Sequence, residues 1–308
     1  MKILVTGACG LLGAHVISFL SRRHEVVGTD RNLWWGDRPI ELISGNLDDP
    51  AFIKDLAEKV KPDCVIHCAA ITNVDFCEFN PSVAYEVNGE ATRRLVRAVS
   101  PNCLFVYIST DGLFSGQRSL VTENELPSPR TVYGRSKLHG EWNVQLISRR
   151  HLIVRTNFYG WSSGRKTTFV EWLYRALEQR EKITLFEDFF FTSLYVMDLV
   201  ERIAALIEGG HQGLFHLTGA ERVSKEEFGR QLADLAGFSL ENVQRGTLSN
   251  ANLAADRPRD MSLSSQHFCR TTGLTVPNSK EGLVRFLGDR GRPLSARCGA
   301  DLAETRRD

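Results

Sequence analysis

Residues 3–13 read Ile-Leu-Val-Thr-Gly-Ala-Cys-Gly-Leu-Leu-Gly. An apolar run of strand length enters three glycines spaced GxxGxxG, and an amphipathic stretch follows over 11–22. Gly7 permits a tight turn, Gly10 lets the backbone approach a pyrophosphate, and Gly13 allows a helix to press on the preceding strand. Leu11 and Leu12 open that helix, whose N-terminal N–H groups and positive dipole end favour an anion. Three glycines alone are a weak signal. The strand before them, the helix after them and an acid at the right distance together predict a dinucleotide-binding loop.

That acid is Asp30, which ends the second apolar run, Val26-Val27-Gly28-Thr29-Asp30. A carboxylate there accepts hydrogen bonds from ribose hydroxyls and repels a 2′-phosphate, which favours NAD(H). An Asp at a strand end also suits a plain turn. Arg31 and Arg38 stand close by. A guanidinium can lie on adenine or pair with a 2′-phosphate, so NADP(H) stays open as the alternative. Asn46-Leu47-Asp48 follows the third run and offers an amide and an apolar side chain to an adenine ring. Cys68-Ala69-Ala70 follows the fourth, where small side chains leave room for a cofactor over the sheet edge.

Strand-length apolar runs recur at 2–5, 25–29, 41–44, 64–67, 104–109 and 152–155. Most are continuous, as in parallel strands buried on both faces. Helical patterns at 11–22, 50–60, 80–99 and 133–148 separate them. The alternation predicts an α/β fold, a Rossmann-type doubly wound parallel sheet of about seven strands. After residue 156 the pattern changes. Aromatic loops (158–161 and 189–191) alternate with helical stretches near 168–179, 195–208, 224–236 and 279–287. The expected division is a dinucleotide-binding domain over 1–156 and a smaller C-terminal substrate-binding lobe over 157–287. The helix near 195–208 is expected to pack back on the first domain, and 288–308 to form a flexible tail.

Tyr133 and Lys137 form YxxxK, a spacing that puts both on one helix face. A phenol with its ordinary pKa of ~10 is a poor acid–base catalyst at neutral pH. A nearby ammonium favours phenolate and brings that value down. The same spacing also suits an ordinary surface pair. The run at 104–109 leads into Thr110 and Asp111, and the carboxyl end of a parallel strand faces the cleft. Thr110 there can hydrogen-bond a substrate oxygen beside the phenol. Asn88 is a poor helix former inside a helical stretch. It suits a contact that supports Lys137, and equally a solvent-facing position.

Together, TGACGLLG (6–13), Asp30, HCAA (67–70), VN (87–88), STD (109–111) and YGRSK (133–137) resemble the extended short-chain dehydrogenase/reductase family. STDGLFSG (109–116), YGRSKLHGE (133–141), RTNFYG (155–160), GLFHLTG (213–219) and RPRDMSL (257–263) narrow the resemblance to its dTDP-4-dehydrorhamnose reductase group. The likeness covers roughly residues 1–287. It implies a catalytic set of Thr110, Tyr133 and Lys137, with Tyr133 and Lys137 also holding the nicotinamide cofactor. It implies a nucleotide-linked keto-deoxy sugar near Thr110, Asp111, Asn157, Trp161 and Arg257. Hydride would pass to a keto carbon while Tyr133 protonates the oxygen.

The chain departs from that group at two places. Gly112 stands where a Tyr is usual, and Phe189-Phe190-Phe191-Thr192-Ser193 replaces a loop that often contains Gly and Pro. A 4,6-dehydratase would place Asp-Glu after the Thr, whereas Asp111 here precedes Gly112. Two alternatives stay open. One is an NAD-dependent sugar-nucleotide epimerase with the same triad. The other is a non-catalytic regulatory subunit resembling the β-subunit of methionine adenosyltransferase.

Composition excludes several other classes. The 308 residues are 42% hydrophobic and 24% charged, which excludes wholesale disorder. Lys and Arg total 38 against 37 Asp and Glu, so the chain lacks the bulk positive charge of a nucleic-acid or membrane-surface binder. No apolar run approaches the ~18 residues of a membrane span, and no signal-peptide h-region opens the chain. The expected location is cytoplasmic. Seven cysteines without a CxxC pair fit neither a zinc site nor a disulfide framework, so no metal is expected. Cys64, Cys68 and Cys103 suit small apolar fillers. The expected partners are a small-molecule nucleotide sugar and, in a homodimer, a second copy of the chain.

Overall fold

Ile3 and Val5 are fully buried among one set of apolar side chains and Leu4 among another, so the first strand carries core on both faces. The computed structural model describes residues 1–32, 40–162, 167–251 and 254–297. Arg38 and Cys298 lie outside them. The first strand, β1 (Lys2–Thr6), turns at Gly7 into α1 (Leu11–Leu20), and β2 (Glu25–Asp30) and β3 (Glu41–Ser44) follow. α2 (Pro50–Val60) begins where theory places a start: the Asp49 carboxylate accepts from Ala51 N at 2.9 Å, and Pro50 takes the first turn. Next come β4 (Cys64–His67), α3 (Val74–Phe79) and α4 (Pro81–Tyr85). A π-helical turn (Glu86–Glu90) then leads into α5 (Ala91–Ala98) and β5 (Leu104–Thr110).

The helical pattern over 80–99 is therefore two α-helices joined by a wider turn. Asn88 sits in that turn, buried, with Oδ1 accepting from Ile71 N and Nδ2 donating to Ile71 O and Ser136 Oγ. Such π turns collect where an inward side chain interrupts the regular ladder.

α6 (Val132–Ile147) and β6 (His151–Thr156) complete the first half. The second half holds β7 (Phe158–Tyr159), α7 (Phe169–Glu178), β8 (Ile183–Phe186), β9 (Phe190–Phe191), β10 (Leu194–Tyr195) and α8 (Val196–Glu208). It continues with β11 (Gly213–Leu217), β12 (Val223–Ser224), α9 (Lys225–Ala236), β13 (Val243–Gly246), α10 (Gln266–Thr272) and α11 (Ser279–Gly288).

The main sheet has seven strands in the order β11-β6-β5-β4-β1-β2-β3, and every pairing is parallel. This is the doubly wound Rossmann-type order, which reverses between β1 and β4. A ligand crevice is expected outside the carboxyl ends of strands at that point.

The expected boundary at 156 is crossed twice. α8 packs on α1, and β11 pairs with β6 as the seventh strand of the sheet. The lobe is what remains: α7, α9 and the small two-stranded pairs β9·β12 and β8·β13. One apolar core runs from α1 through α8 into α7, α9 and α11.

Over 288–297, the described part of the expected tail, several groups hydrogen-bond the body of the chain. Tyr195 Oη donates to Asp289 Oδ2 at 2.6 Å, Ser18 Oγ to Leu294 O at 3.2 Å, and Arg297 Nη1 to Trp161 O at 3.0 Å. Polar anchors substitute for the missing apolar periodicity. Among the described residues, no helix is long and apolar enough to cross a membrane.

Candidate active site

The glycine loop is tight enough that side chains are sterically excluded. Gly7 has φ +65°, and a Cβ there would fall 2.8 Å from Ala69 N. A Cβ on Gly13 would fall 2.2 Å from Gly7 O, so α1 abuts the turn that precedes it. No side chain caps the N-terminus of α1 at Gly10. The first-turn N–H groups, those of Leu11, Leu12 and Gly13, have no partner within the helix and suit a phosphate. The loop's backbone is thus closed against α1 and Ala69, a shape that could hold a pyrophosphate.

Asp30 closes the loop from β2. Its Oδ2 accepts from Cys9 N at 3.0 Å and its Oδ1 from Asn32 N at 3.4 Å. Arg31, Asn46, Leu47, Cys68, Ala69 and Ala70 line the same cleft, which has a volume of about 780 Å³. His67, just before Cys68, holds the floor: its Nδ1 lies 2.7 Å from Thr6 Oγ1 and its Nε2 3.0 Å from Thr92 Oγ1. Burial, then the charge of Lys137, push His67 down to about 3, so it serves as a neutral strut.

At the other end of the cleft, β5 and α6 meet closely. A Cβ on Gly134 would fall 2.4 Å from Gly112 O. Thr131 caps α6 by accepting from Gly134 N at 3.0 Å. This contact brings Tyr133 beside Thr110, and both line the cleft together with Lys137. Thr110 Oγ1 accepts from Gly112 N at 3.1 Å and donates to Asp111 Oδ1 at 3.1 Å. Asn157 Nδ2 donates to Asp111 Oδ2 at 2.6 Å.

Burial dominates the charges here. It raises Tyr133 far above the usual phenol value, against a hydrogen bond with Thr110, so the phenol carries its proton. It pushes Lys137 down to about 7, opposed by the charges of Glu141 and Cys68. It also pushes Asp111 up to about 6, against hydrogen bonds from Asn157 and Thr110.

The residues expected at the sugar separate. Thr110, Asp111, Asn157 and Arg257 line the cleft. Trp161 does not. Its ring stacks on Phe286, 4.2 Å between centroids, and its Nε1 donates to Phe286 O at 2.7 Å. The side chain is thereby committed to the lobe's core. The three aromatics also separate: Phe189 lines the cleft, whereas Phe191 is core. Asn88 bonds Ile71 and Ser136 and makes no hydrogen bond with Lys137.

One residue went unmarked in the sequence. Lys225 opens α9 and lies among Phe169, Phe189 and Phe191. A lysine at a helix start reads as surface charge; the β9·β12 pairing brings it to Phe191, and the start of α7 supplies Phe169. Among the described residues, no cluster of His, Cys, Asp or Glu could hold a metal ion.

A family model described as the RmlD substrate binding domain matches residues 1–291. The dTDP-4-dehydrorhamnose reductase of Aggregatibacter actinomycetemcomitans is 31% identical over 270 residues, covering 83% of this chain and 86% of that protein. The methionine adenosyltransferase 2 subunit beta of Danio rerio is 28% identical over 287 residues, covering 90% and 87%. Among solved structures, a dTDP-4-dehydrorhamnose reductase from Bacillus anthracis in complex with NADP superposes with a TM-score of 0.84. It is 29% identical, and the match covers 94% of this chain and 99% of that one.

Proposed function

The chain belongs to the RmlD substrate binding domain family, within the extended short-chain dehydrogenase/reductases, and we propose that it reduces the keto group of a nucleotide-linked deoxy sugar. The enzyme is a nicotinamide-dependent oxidoreductase. The observation that carries the substrate reading is the opening of Thr110, Tyr133 and Lys137 into the same cleft as the glycine loop and Asp30. The relatives named for reduction of a dTDP-linked 4-keto sugar, and the one solved with NADP, support this class of substrate and cofactor.

The geometry supports the following assignment of roles. The loop from Gly7 to Gly13 and the start of α1 hold a pyrophosphate, Asp30 holds the adenosine ribose, and the small residues 68–70 give a flat ring room. The bound reduced nicotinamide supplies the hydride. Tyr133, kept protonated by burial, holds the proton destined for the substrate oxygen. Lys137, one helical turn on, stabilises the phenolate left behind and holds the nicotinamide ribose. Thr110 gives its proton to Asp111, which leaves its hydroxyl oxygen to accept from the Tyr133 phenol and hold that group in the cleft. Fixed in advance, these groups lower the orientation cost of the step.

A regulatory role like that of the methionine adenosyltransferase subunit is the second reading, motivated by the likeness to the zebrafish protein. Turnover separates the two. A reductase oxidises NADH or NADPH when given dTDP-4-keto-6-deoxyglucose or its epimer, seen as loss of nicotinamide absorbance. A chain that binds the dinucleotide, turns over no member of a keto-sugar panel and co-purifies with a partner subunit is regulatory.

A further inference from the structure

Two charged side chains behind the cleft take no part in the steps above. Glu141 lies on α6, one helical turn beyond Lys137, and Arg155 lies on β6; all three are buried. Residues four apart share a helix face, with about 5–6 Å between their Cβ atoms. That face of α6 covers the sheet. The Lys137 ammonium packs on the ring of Tyr107, and Arg155, beside Ser109 in the β5–β6 pairing, is on the same side of the sheet as Tyr107. The charges therefore stand in a row: positive, negative, positive.

Arg155 forks the Glu141 carboxylate. Its Nε donates to Oε1 at 3.0 Å and to Oε2 at 3.3 Å, and its Nη2 donates to Oε2 at 2.7 Å. Glu141 is thus committed to Arg155, and the Lys137 ammonium stays on the ring of Tyr107. A buried ion pair is a weak source of stability, because desolvation offsets the attraction, and Arg155 Nη1 is itself buried without a partner. What the pair does supply is a carboxylate beside the lysine. The other titratable groups around Lys137 are neutral near pH 7: burial holds the Tyr107 and Tyr133 phenols, the Cys68 thiol and the His67 imidazole uncharged. Asn88 of the π-helical turn and Thr92 of α5 carry no charge. His216, the neighbour of Arg155 on β11, is pushed down to about 3 by burial and then by the Arg155 charge.

We propose that Glu141, held by Arg155, is a positioning residue for the reaction: its carboxylate keeps Lys137 charged, while the fork keeps that carboxylate from drawing the ammonium out of the cleft. This rests on the roles of Tyr133 and Lys137 proposed above. Without Glu141, Lys137 faces the Arg155 guanidinium with no anion between them, and the amine loses its proton more readily. Without Arg155, the freed carboxylate closes an i, i+4 pair with Lys137 and pulls it from the phenol and the nicotinamide ribose.

The titration of Lys137 tests this without turnover. In the full chain labelled with 13C at lysine Cε, the resonance missing from Lys137→Met is followed against pH in wild type, Glu141→Gln, Arg155→Met and the double variant. Glu141→Gln should lower the midpoint by about one pH unit or more, the scale of one neighbouring charge, and Arg155→Met should raise it. The double variant should fall between the two. With dTDP-4-keto-6-deoxyglucose and NADH, the basic limb of kcat should move with the midpoint in Glu141→Gln. In Arg155→Met, kcat should drop about tenfold or more even where Lys137 is charged, because the ammonium is misplaced. A midpoint in Glu141→Gln equal to that of wild type overturns the proposal whatever the activity, since a merely structural pair leaves Lys137 unmoved. Should Glu141→Gln misfold, the double variant against Arg155→Met isolates the same carboxylate, and equal midpoints there overturn the proposal. Failure of the reductase reading shows separately: wild type then turns over no keto sugar, while the Lys137 midpoints still move as stated.

Discussion

The Lys137 ammonium lies 4.1 Å from the centroid of the Tyr107 ring, and Tyr107 Oη donates to the carbonyl oxygen of Lys137 itself. One strand residue thus grips both ends of the lysine. The contact is close because Gly140 is a glycine: a Cβ there would fall 2.1 Å from Tyr107 Oη. The arrangement positions the ammonium but leaves it largely desolvated, which makes the lysine costly to the free protein.

That cost predicts a stability effect. An unfolded lysine keeps its proton up to its ordinary pKa of ~10.4, whereas the folded one loses it near 7. Between those values the unfolded chain binds more protons, so stability from this group rises with pH across that window. Lys137→Met has no such penalty. It should melt at a higher temperature than wild type at neutral pH, with the gain shrinking toward about pH 10. Melting curves over that range decide. A gain independent of pH would assign the effect to packing instead.

The phenol gives the second prediction. Tyr133→Phe removes the proton donor while keeping the ring that fills the cleft wall. NADH binding should persist while kcat falls at least ~10²-fold, the scale of a lost general acid. Single-turnover kinetics with a keto-sugar nucleotide measure this directly. Full activity in the variant would remove Tyr133 from the chemistry.

How much of this was legible beforehand follows from how local each signal is. The loop at 7–13, Asp30 and the YxxxK pair lie within single strand–turn–helix units, where spacing alone fixes which side chains share a face. The sheet order follows from continuous apolar runs. Trp161 was misplaced because its partner, Phe286, belongs to a distant helix, and an aromatic loop residue offers no clue to which ring it will stack on. β11 was recognised as a family landmark but not as a strand, since His216 breaks its apolar run. Lys225 escaped because its environment comes from two segments remote in sequence.

Loop geometry gives the third prediction. A Cβ at position 13 would meet the backbone oxygen of Gly7 at 2.2 Å, and no side-chain rotation relieves a backbone contact. Gly13→Ala should therefore shift α1 off β1, weaken dinucleotide binding by at least about tenfold and lower Tm. Gly112→Ala is the control. Its Cβ would lie 3.5 Å from Thr110 Oγ1, an ordinary contact, so binding and Tm should stay near wild type. Equal damage from both substitutions would mean that general loop sensitivity, not the helix–turn contact, sets the effect.

Cofactor choice gives the last prediction. Asp30 Oδ2 is held by Cys9 N at 3.0 Å, so the carboxylate is fixed beside the glycine loop rather than free to swing away. A fixed negative charge there gives charge-assisted hydrogen bonds to ribose hydroxyls and repels a 2′-phosphate. Arg31 lines the same cleft and pulls the other way. Because the carboxylate is anchored by a backbone N–H at the loop itself, the expected outcome is tighter binding of NADH than NADPH by wild type. Asp30→Ala should weaken NADH, relieve NADPH and so narrow or invert the preference; Arg31→Ala should sharpen it. Titration of both cofactors against the three proteins tests this. A wild-type preference for NADPH that Arg31→Ala abolishes would show that the guanidinium, and not Asp30, faces the 2′ position.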